Sequence, residues 1–141
     1  MGRAHVRDLM DEKVVTISAG DTLSTVDDIM TLGQLRHMPV VHAGKLVGVV
    51  SERDLLRASL SNLIEFGSEH RRAFLQVVEI ARVMSTPPIV IEPDATIEEA
   101  ARVMAEKKIG CLPVLGGDTI VGMLTETDIL AYFAGLRPER V

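Results

Sequence analysis

With 141 residues, 15 Lys and Arg against 20 Asp and Glu, and a net charge of −5, the chain has the size of one domain with a proper core. The acidic balance argues against general nucleic-acid binding, which needs a basic face to neutralise phosphate. The single cysteine, Cys111, excludes an internal disulfide framework and suits a reducing compartment. The start, Met-Gly-Arg-Ala-His, has no apolar signal core, and no run approaches the roughly 20 apolar residues of a spanning helix. Position 6 is Val where a myristoylation signal needs Ser or Thr. A soluble, cytoplasmic protein is expected, with no membrane partner.

In chain order, Val6 to Met10 reads as a short helical turn, followed by the β-rich run Val14-Val15-Thr16-Ile17. The cluster Ser18-Ala19-Gly20-Asp21 turns the chain into an amphipathic helix with Leu23, Val26, Ile29 and Met30 on one face, closed by Gly33. His37 to Val41, the turn Ala43-Gly44 and Leu46 to Val50 read as a β-hairpin, and a second helix opens at Ser51. Ala58 to Glu79 is longer than a linker needs. Phe74, Val77, Val78, Ala81 and Met84 keep helical spacing while Gly67-Ser68 interrupts it, so two helices with a break near Gly67 are expected. Their apolar stripes would cover the core or a partner subunit. The dense basic run His70-Arg71-Arg72 reads as a solvated helix face.

The course then repeats. Ile80 to Met84 is a second helical turn, Ile89-Val90-Ile91 a second β-rich run, and Glu92-Pro93-Asp94 a second turn cluster. Ile97, Ala100, Val103 and Met104 form a helix face, with Thr96 and Glu99 at capping-box spacing. Leu112 to Leu115, Gly116-Gly117-Asp118 and Ile120 to Leu124 form a hairpin, and a helix opens at Thr125. A displacement of 74 residues superimposes Gly48 to Leu56 (GVVSERDLL) on Gly122 to Leu130 (GMLTETDIL), and no gap is needed from Val6 to Arg57. The chain is an internal duplication of a β-α-β-β-α unit. Repeat 1 spans 6–59, a helical connector 60–79 and repeat 2 80–134. Neither copy covers its own sheet on both faces, so an α/β (α+β) fold with the two sheets stacked is expected.

Both copies end in Gly-x-x-Ser/Thr-x-x-Asp, at Ser51 and Asp54 and again at Thr125 and Asp128. A capping box accounts for that spacing without any ligand: the hydroxyl accepts from a backbone N–H and the acid reaches back. The same geometry also suits a ligand. A helix amino terminus favours an anion, a nearby glycine permits close approach to the strand, and a carboxylate accepts hydrogen bonds from a sugar diol. One Asp can do both.

The duplicated unit, the strands Met38-Pro39-Val40-Val41 and Leu112-Pro113-Val114-Leu115, and the paired motif resemble a tandem pair of cystathionine-β-synthase (CBS) domains, a Bateman module. The resemblance covers residues 6 to 134. It implies repeats related by a pseudo-twofold axis, with two clefts that bind AMP, ADP, ATP or S-adenosylmethionine as regulatory ligands. By the same resemblance, Asp54 and Asp128 hold ribose hydroxyls, and Ser51 and Thr125 bond ribose or phosphate. One cleft would combine Ser51 and Asp54 with Pro88, Ile89, Ile109, Gly110 and Cys111. The other would combine Thr125 and Asp128 with Val14, Val15, Leu35, Arg36 and His37. Arg36 and His37 would then favour phosphorylated ligands in the Asp128 cleft, with Arg53 a substitute charge in the other. Modules of this family usually form homodimers, and this chain's apolar helix stripes suit one.

No catalytic constellation emerges. His5, His37, His42 and His70 lack metal-ligand spacing, and Cys111 beside an apolar strand reads as a buried thiol. Gly116-Gly117 is a hairpin turn rather than a phosphate loop, because a strand follows it. The expected function is therefore a non-enzymatic regulatory module, without a required cofactor or metal, that senses an adenosine ligand and signals to an effector protein. The competing reading is a dimerising scaffold that binds no nucleotide.

Overall fold

The computed structural model describes residues 4–66 and 71–136. In chain order its elements are α1 (Val6–Leu9), β1 (Ile17–Ser18), α2 (Leu23–Gly33), β2 (His37–His42), β3 (Lys45–Ser51), α3 (Glu52–Phe66) and α4 (Arg71–Val77). A 3₁₀ turn at Ile80–Arg82 follows, then α5 (Ile97–Lys107), β4 (Cys111–Gly116), β5 (Thr119–Thr125) and α6 (Glu126–Phe133). They form two compact units. Val15–Pro88 makes one, called here the Asp54 unit; Met1–Val14 with Ile89–Val141 makes the other, the Asp128 unit. The fold is mixed α/β, with small sheets and helices in each unit.

The packing units do not coincide with the sequence repeats, because the two lead-in turns change places. In the Asp128 unit, the Val6 N–H donates to the Ala95 carbonyl at 2.9 Å and the Arg7 N–H to Pro93 at 3.0 Å. Asp11 and Met123 exchange two backbone bonds, each 2.9 Å. In the Asp54 unit, the Ile80 N–H donates to Asp21 at 2.8 Å, Ala81 to Ala19 at 3.1 Å, and Ser85 and Val49 exchange bonds at 2.8 and 3.1 Å. Every one of these pairs maps onto its counterpart by the 74-residue displacement. Burial drives the exchange: Val6 and Ile80 are both fully buried, each in the core of the unit built on the other repeat.

Each sheet is shorter than its apolar runs suggest. The run from Val14 forms strand only at Ile17–Ser18, where Ile17 pairs in parallel with Val40, and the run from Ile89 forms a single bridge, Ile91 with Val114. Proline explains the stop. The Ile91 N–H donates to the Pro113 carbonyl at 3.1 Å. Extending the parallel ladder to Ile89 would require a Pro113 N–H, and extending it to Val15 a Pro39 N–H; proline has neither. The hairpins form as expected, β2 with β3 and β4 with β5, and both carry a register shift at the same place, after Val40 and after Val114.

Helix ends follow local chemistry. Thr22 and Thr96 accept from the Thr25 and Glu99 N–H groups at 3.3 and 3.2 Å, fixing the starts of α2 and α5. Helix α2 does end at Gly33, but the left-handed position that glycine favours falls to the next residue, Gln34, at φ 53°. Helix α3 runs beyond residue 59 to Phe66, and α4 packs against α2 and α3, with its Phe74 and Leu75 and the following Val78 packed against the core. The expected break at Gly67-Ser68, His70 and the side chains of Arg71 and Arg72 lie outside the described residues.

Candidate functional site

In each unit the motif sits where a strand becomes a helix. Ser51 ends β3 and Thr125 ends β5; α3 and α6 begin at the next residue. The capping box is complete in both. The Ser51 N–H donates to an Asp54 carboxylate oxygen at 2.8 Å, and the Asp54 N–H to the Ser51 Oγ at 3.1 Å. Thr125 and Asp128 repeat this at 2.9 and 3.3 Å. The next donor is also committed: the Glu52 N–H goes to the Arg36 carbonyl at 2.8 Å and the Glu126 N–H to Gly110 at 2.9 Å.

These bonds change what the site offers. The helix amino terminus was expected to present several N–H groups to an anion, but those of Ser51, Glu52 and Asp54 already serve the protein. What the cap leaves at Ser51 and Asp54 is a hydroxyl hydrogen and a second carboxylate oxygen, on side chains that are half-buried. One donor beside one charged acceptor suits a vicinal diol better than a phosphate.

The glycine of the motif has a structural cause. A Cβ on Gly48 would lie 2.6 Å from the Met84 Sδ and 2.8 Å from the Ser85 carbonyl oxygen. One on Gly122 would lie 2.6 Å from the Met10 Sδ and 3.1 Å from the Asp11 oxygen. The close approach that sequence reasoning allowed for a ligand is made by the exchanged lead-in segment.

Register fixes the neighbours within each unit. His37 stands opposite Ser51, and Cys111 opposite Thr125. The structure therefore gathers Leu35, Arg36, His37, Ser51 and Asp54 at one end of the Asp54 unit, with Arg36 exposed and His37 half-buried. It gathers Ile109, Gly110, Cys111, Thr125 and Asp128 in the Asp128 unit, with Cys111 only 6% exposed. Sequence reasoning paired the basic residues with Asp128 and did not see them beside Ser51. The signal was present: counting out from the Ala43-Gly44 turn puts position 36 opposite 51, and one bulge moves the pairing to His37. Val14 and Ile89 fall in the Asp128 unit, Val15 and Pro88 in the Asp54 unit, on either side of the two chain crossings. Arg53 is exposed on the first turn of α3.

Among the described residues no cluster of three or more His, Cys, Asp or Glu has metal-binding geometry, and no helix is long and apolar enough to cross a membrane.

A duplicated unit with a shared hydroxyl–carboxylate cap defines a class, and comparison with known proteins gives it a family. The CBS domain family matches residues 6–61 and again 79–135. A CBS domain-containing protein of Dictyostelium discoideum is 31% identical over 127 residues, covering 89% of this chain and 88% of its own length. The CBS domain pair of protein MJ0100, in complex with 5'-methylthioadenosine and S-adenosyl-L-methionine, has a TM-score of 0.79 at 22% identity and covers 95% of this chain and 98% of its own. CBSX2 in complex with AMP has a TM-score of 0.74 at 23% identity, covering 93% and 96%. Several other relatives are longer, and the chain spans only 21% to 47% of their length. The chain belongs to the CBS domain family and carries two copies of the domain.

Proposed function

We propose that this chain is a non-enzymatic regulatory module that binds an adenosine-containing ligand, AMP, ADP, ATP or S-adenosylmethionine, and passes its occupancy to a partner protein in the cytoplasm. The observation that carries the reading is the repeated cap, a half-buried hydroxyl and carboxylate at the strand-to-helix turn of each unit, which at Ser51 and Asp54 leaves a hydroxyl hydrogen and a second carboxylate oxygen suited to a ribose diol. The ligands held by MJ0100 and CBSX2 support the class. Asp54 and Asp128 are assigned the ribose, and Ser51 and Thr125 the adjoining hydroxyl or phosphate. Beside them stand Leu35, Arg36 and His37 in the Asp54 unit, and Ile109, Gly110 and Cys111 in the Asp128 unit. A homodimer is part of the proposal, formed through the exposed stripe Leu56, Leu60 and Ile64 on α3, which are 57%, 48% and 87% exposed.

A scaffold without ligand is the second reading, favoured by how fully the capping box explains the motif. Thermal unfolding with AMP, ATP and S-adenosylmethionine separates the two. A ligand that binds only the folded state stabilises it by RT ln(1 + [L]/Kd), about 2.7 kcal/mol at a hundredfold excess over Kd. The proposal expects at least one of the three to raise Tm by several degrees. A flat response to all at millimolar concentration favours the scaffold.

A further inference from the structure

We infer that Met84 is an oxidation site: a hydroperoxide converts its thioether to the sulfoxide, and the modified side chain loosens the lead-in segment from β3 just ahead of the Ser51–Asp54 motif, whatever ligand that motif holds. Accessibility singles the residue out. Among the described residues, Met10, Met30, Met38, Met104 and Met123 are no more than 9% exposed, whereas Met84 is half-buried. Met10 is its counterpart in the duplication and occupies the same place over Gly122 that Met84 occupies over Gly48. A dissolved oxidant therefore reaches one member of this pair more readily than the other.

Position makes an added oxygen costly. The Met84 thioether lies over the bare face of Gly48, where a Cβ would stand 2.6 Å from Sδ and 2.9 Å from Cγ. The same side chain packs against the core of the Asp54 unit. An unbranched, polarisable thioether suits such a gap. A sulfoxide is polar and chiral. Its oxygen must either give up water or drive the side chain off the glycine.

The adjoining backbone carries the effect. The Ser85 N–H donates to the Val49 carbonyl at 2.8 Å, the Val49 N–H to Ser85 at 3.1 Å, and the Thr86 hydroxyl to the Val47 carbonyl at 2.8 Å. These bonds fasten the lead-in to β3, the strand that ends at Ser51.

The step balances with hydrogen peroxide as the oxidant. A sulfur lone pair takes the distal oxygen, the O–O bond breaks, and the proton of the transferred hydroxyl passes to the departing hydroxide. Sulfur is oxidised, peroxide is reduced, and the products are sulfoxide and water. A methionine sulfoxide reductase supplied with a thiol reverses the change.

The test treats the full chain with limiting hydrogen peroxide and follows it by peptide mass mapping and hydrogen exchange. Met84 should form sulfoxide several-fold faster than Met10. The Val49 and Ser85 amides should then exchange about tenfold faster or more, the burial cost of one added polar atom. The counterpart amides of Asp11 and Met123 should keep their protection, and reductase treatment should restore the original exchange. Met84→Leu, which nearly conserves volume, should stay protected at Val49 and Ser85 in peroxide. Sulfoxide forming as fast at Met10 as at Met84, unchanged exchange at Val49 and Ser85 once Met84 is oxidised, or the same peroxide-induced loss in Met84→Leu would overturn the assignment.

Discussion

Positions 59 and 133 are counterparts in the duplication, yet one is a buried serine on α3 and the other a phenylalanine on α6 with 69% of its surface exposed. Positions 36 and 37 are Arg and His where 110 and 111 are Gly and Cys. Around these differences the interiors agree closely. Leu23 and Ile97, Val40 and Val114, and Val50 and Leu124 occupy equivalent places, each no more than 2% exposed. Backbone pairing and core chemistry are therefore shared by the two copies, while their surfaces have separate uses. One copy packs α4 against its outer helices and keeps Arg36 and His37 beside its motif; in the other, Leu130 and Phe133 stand exposed and uncharged Gly110 and Cys111 take the places of Arg36 and His37.

The largest expected effect tests the exchange of lead-in segments. Ile80 belongs by sequence to repeat 2 but is buried in the Asp54 unit. Ile80→Ala should cost about 2–5 kcal/mol, and hydrogen exchange should show protection lost first in residues 15–88. Loss confined to 89–136 would mean that the sequence repeat, not the packing unit, is the cooperative element.

The motif glycines come next. Gly48→Ala forces a Cβ against the Ser85 backbone, so a loss of about 1–3 kcal/mol is expected in chemical denaturation. Gly122→Ala should cost less, because the nearest obstacle is the flexible Met10 side chain and the backbone oxygen stands farther off. Equal losses would break that distinction.

A reciprocal pair probes the outer face. Ser59→Phe should destabilise by about 1–3 kcal/mol, since the serine is buried and a ring in its place would overpack the site. Phe133→Ser should change stability by less than about 0.5 kcal/mol, as surface changes do. A large loss on removing Phe133 would show that its face is already covered in solution.

The smallest effect is a gain. Gln34 and Lys108 hold the left-handed position at the ends of α2 and α5, with φ 53° and 56°. Gln34→Gly and Lys108→Gly should each stabilise by about 0.5–1 kcal/mol in melting experiments.

Much of this molecule was legible because a duplicated pattern reads itself twice. The hairpins, the capped helices and the Ser51–Asp54 and Thr125–Asp128 spacing followed from alternation, turn residues and cap chemistry. The length of β1 was not, because a missing N–H on Pro39 acts across the sheet on Val15, outside any local window. The lead-in exchange was invisible for a related reason: Val6 and Ile80 look equally apolar whichever core receives them. The motif's own spacing gave cap and ligand site equal standing. Only geometry shows how many donors the cap consumes, and hence why a diol fits what is left better than an anion.

The most direct test of the central claim is calorimetric titration of AMP, ATP and S-adenosylmethionine into the native chain and into Asp54→Ala and Asp128→Ala. If these carboxylates hold ribose, at least one adenylate binds the native chain, and at least one Ala variant weakens it about tenfold or more. Each variant should also lose about 1 kcal/mol of stability, the ordinary cost of a lost cap. Undiminished affinity in both variants, or no heat of binding from any of the three ligands at millimolar concentration, would contradict the account and leave the motif as a helix cap alone.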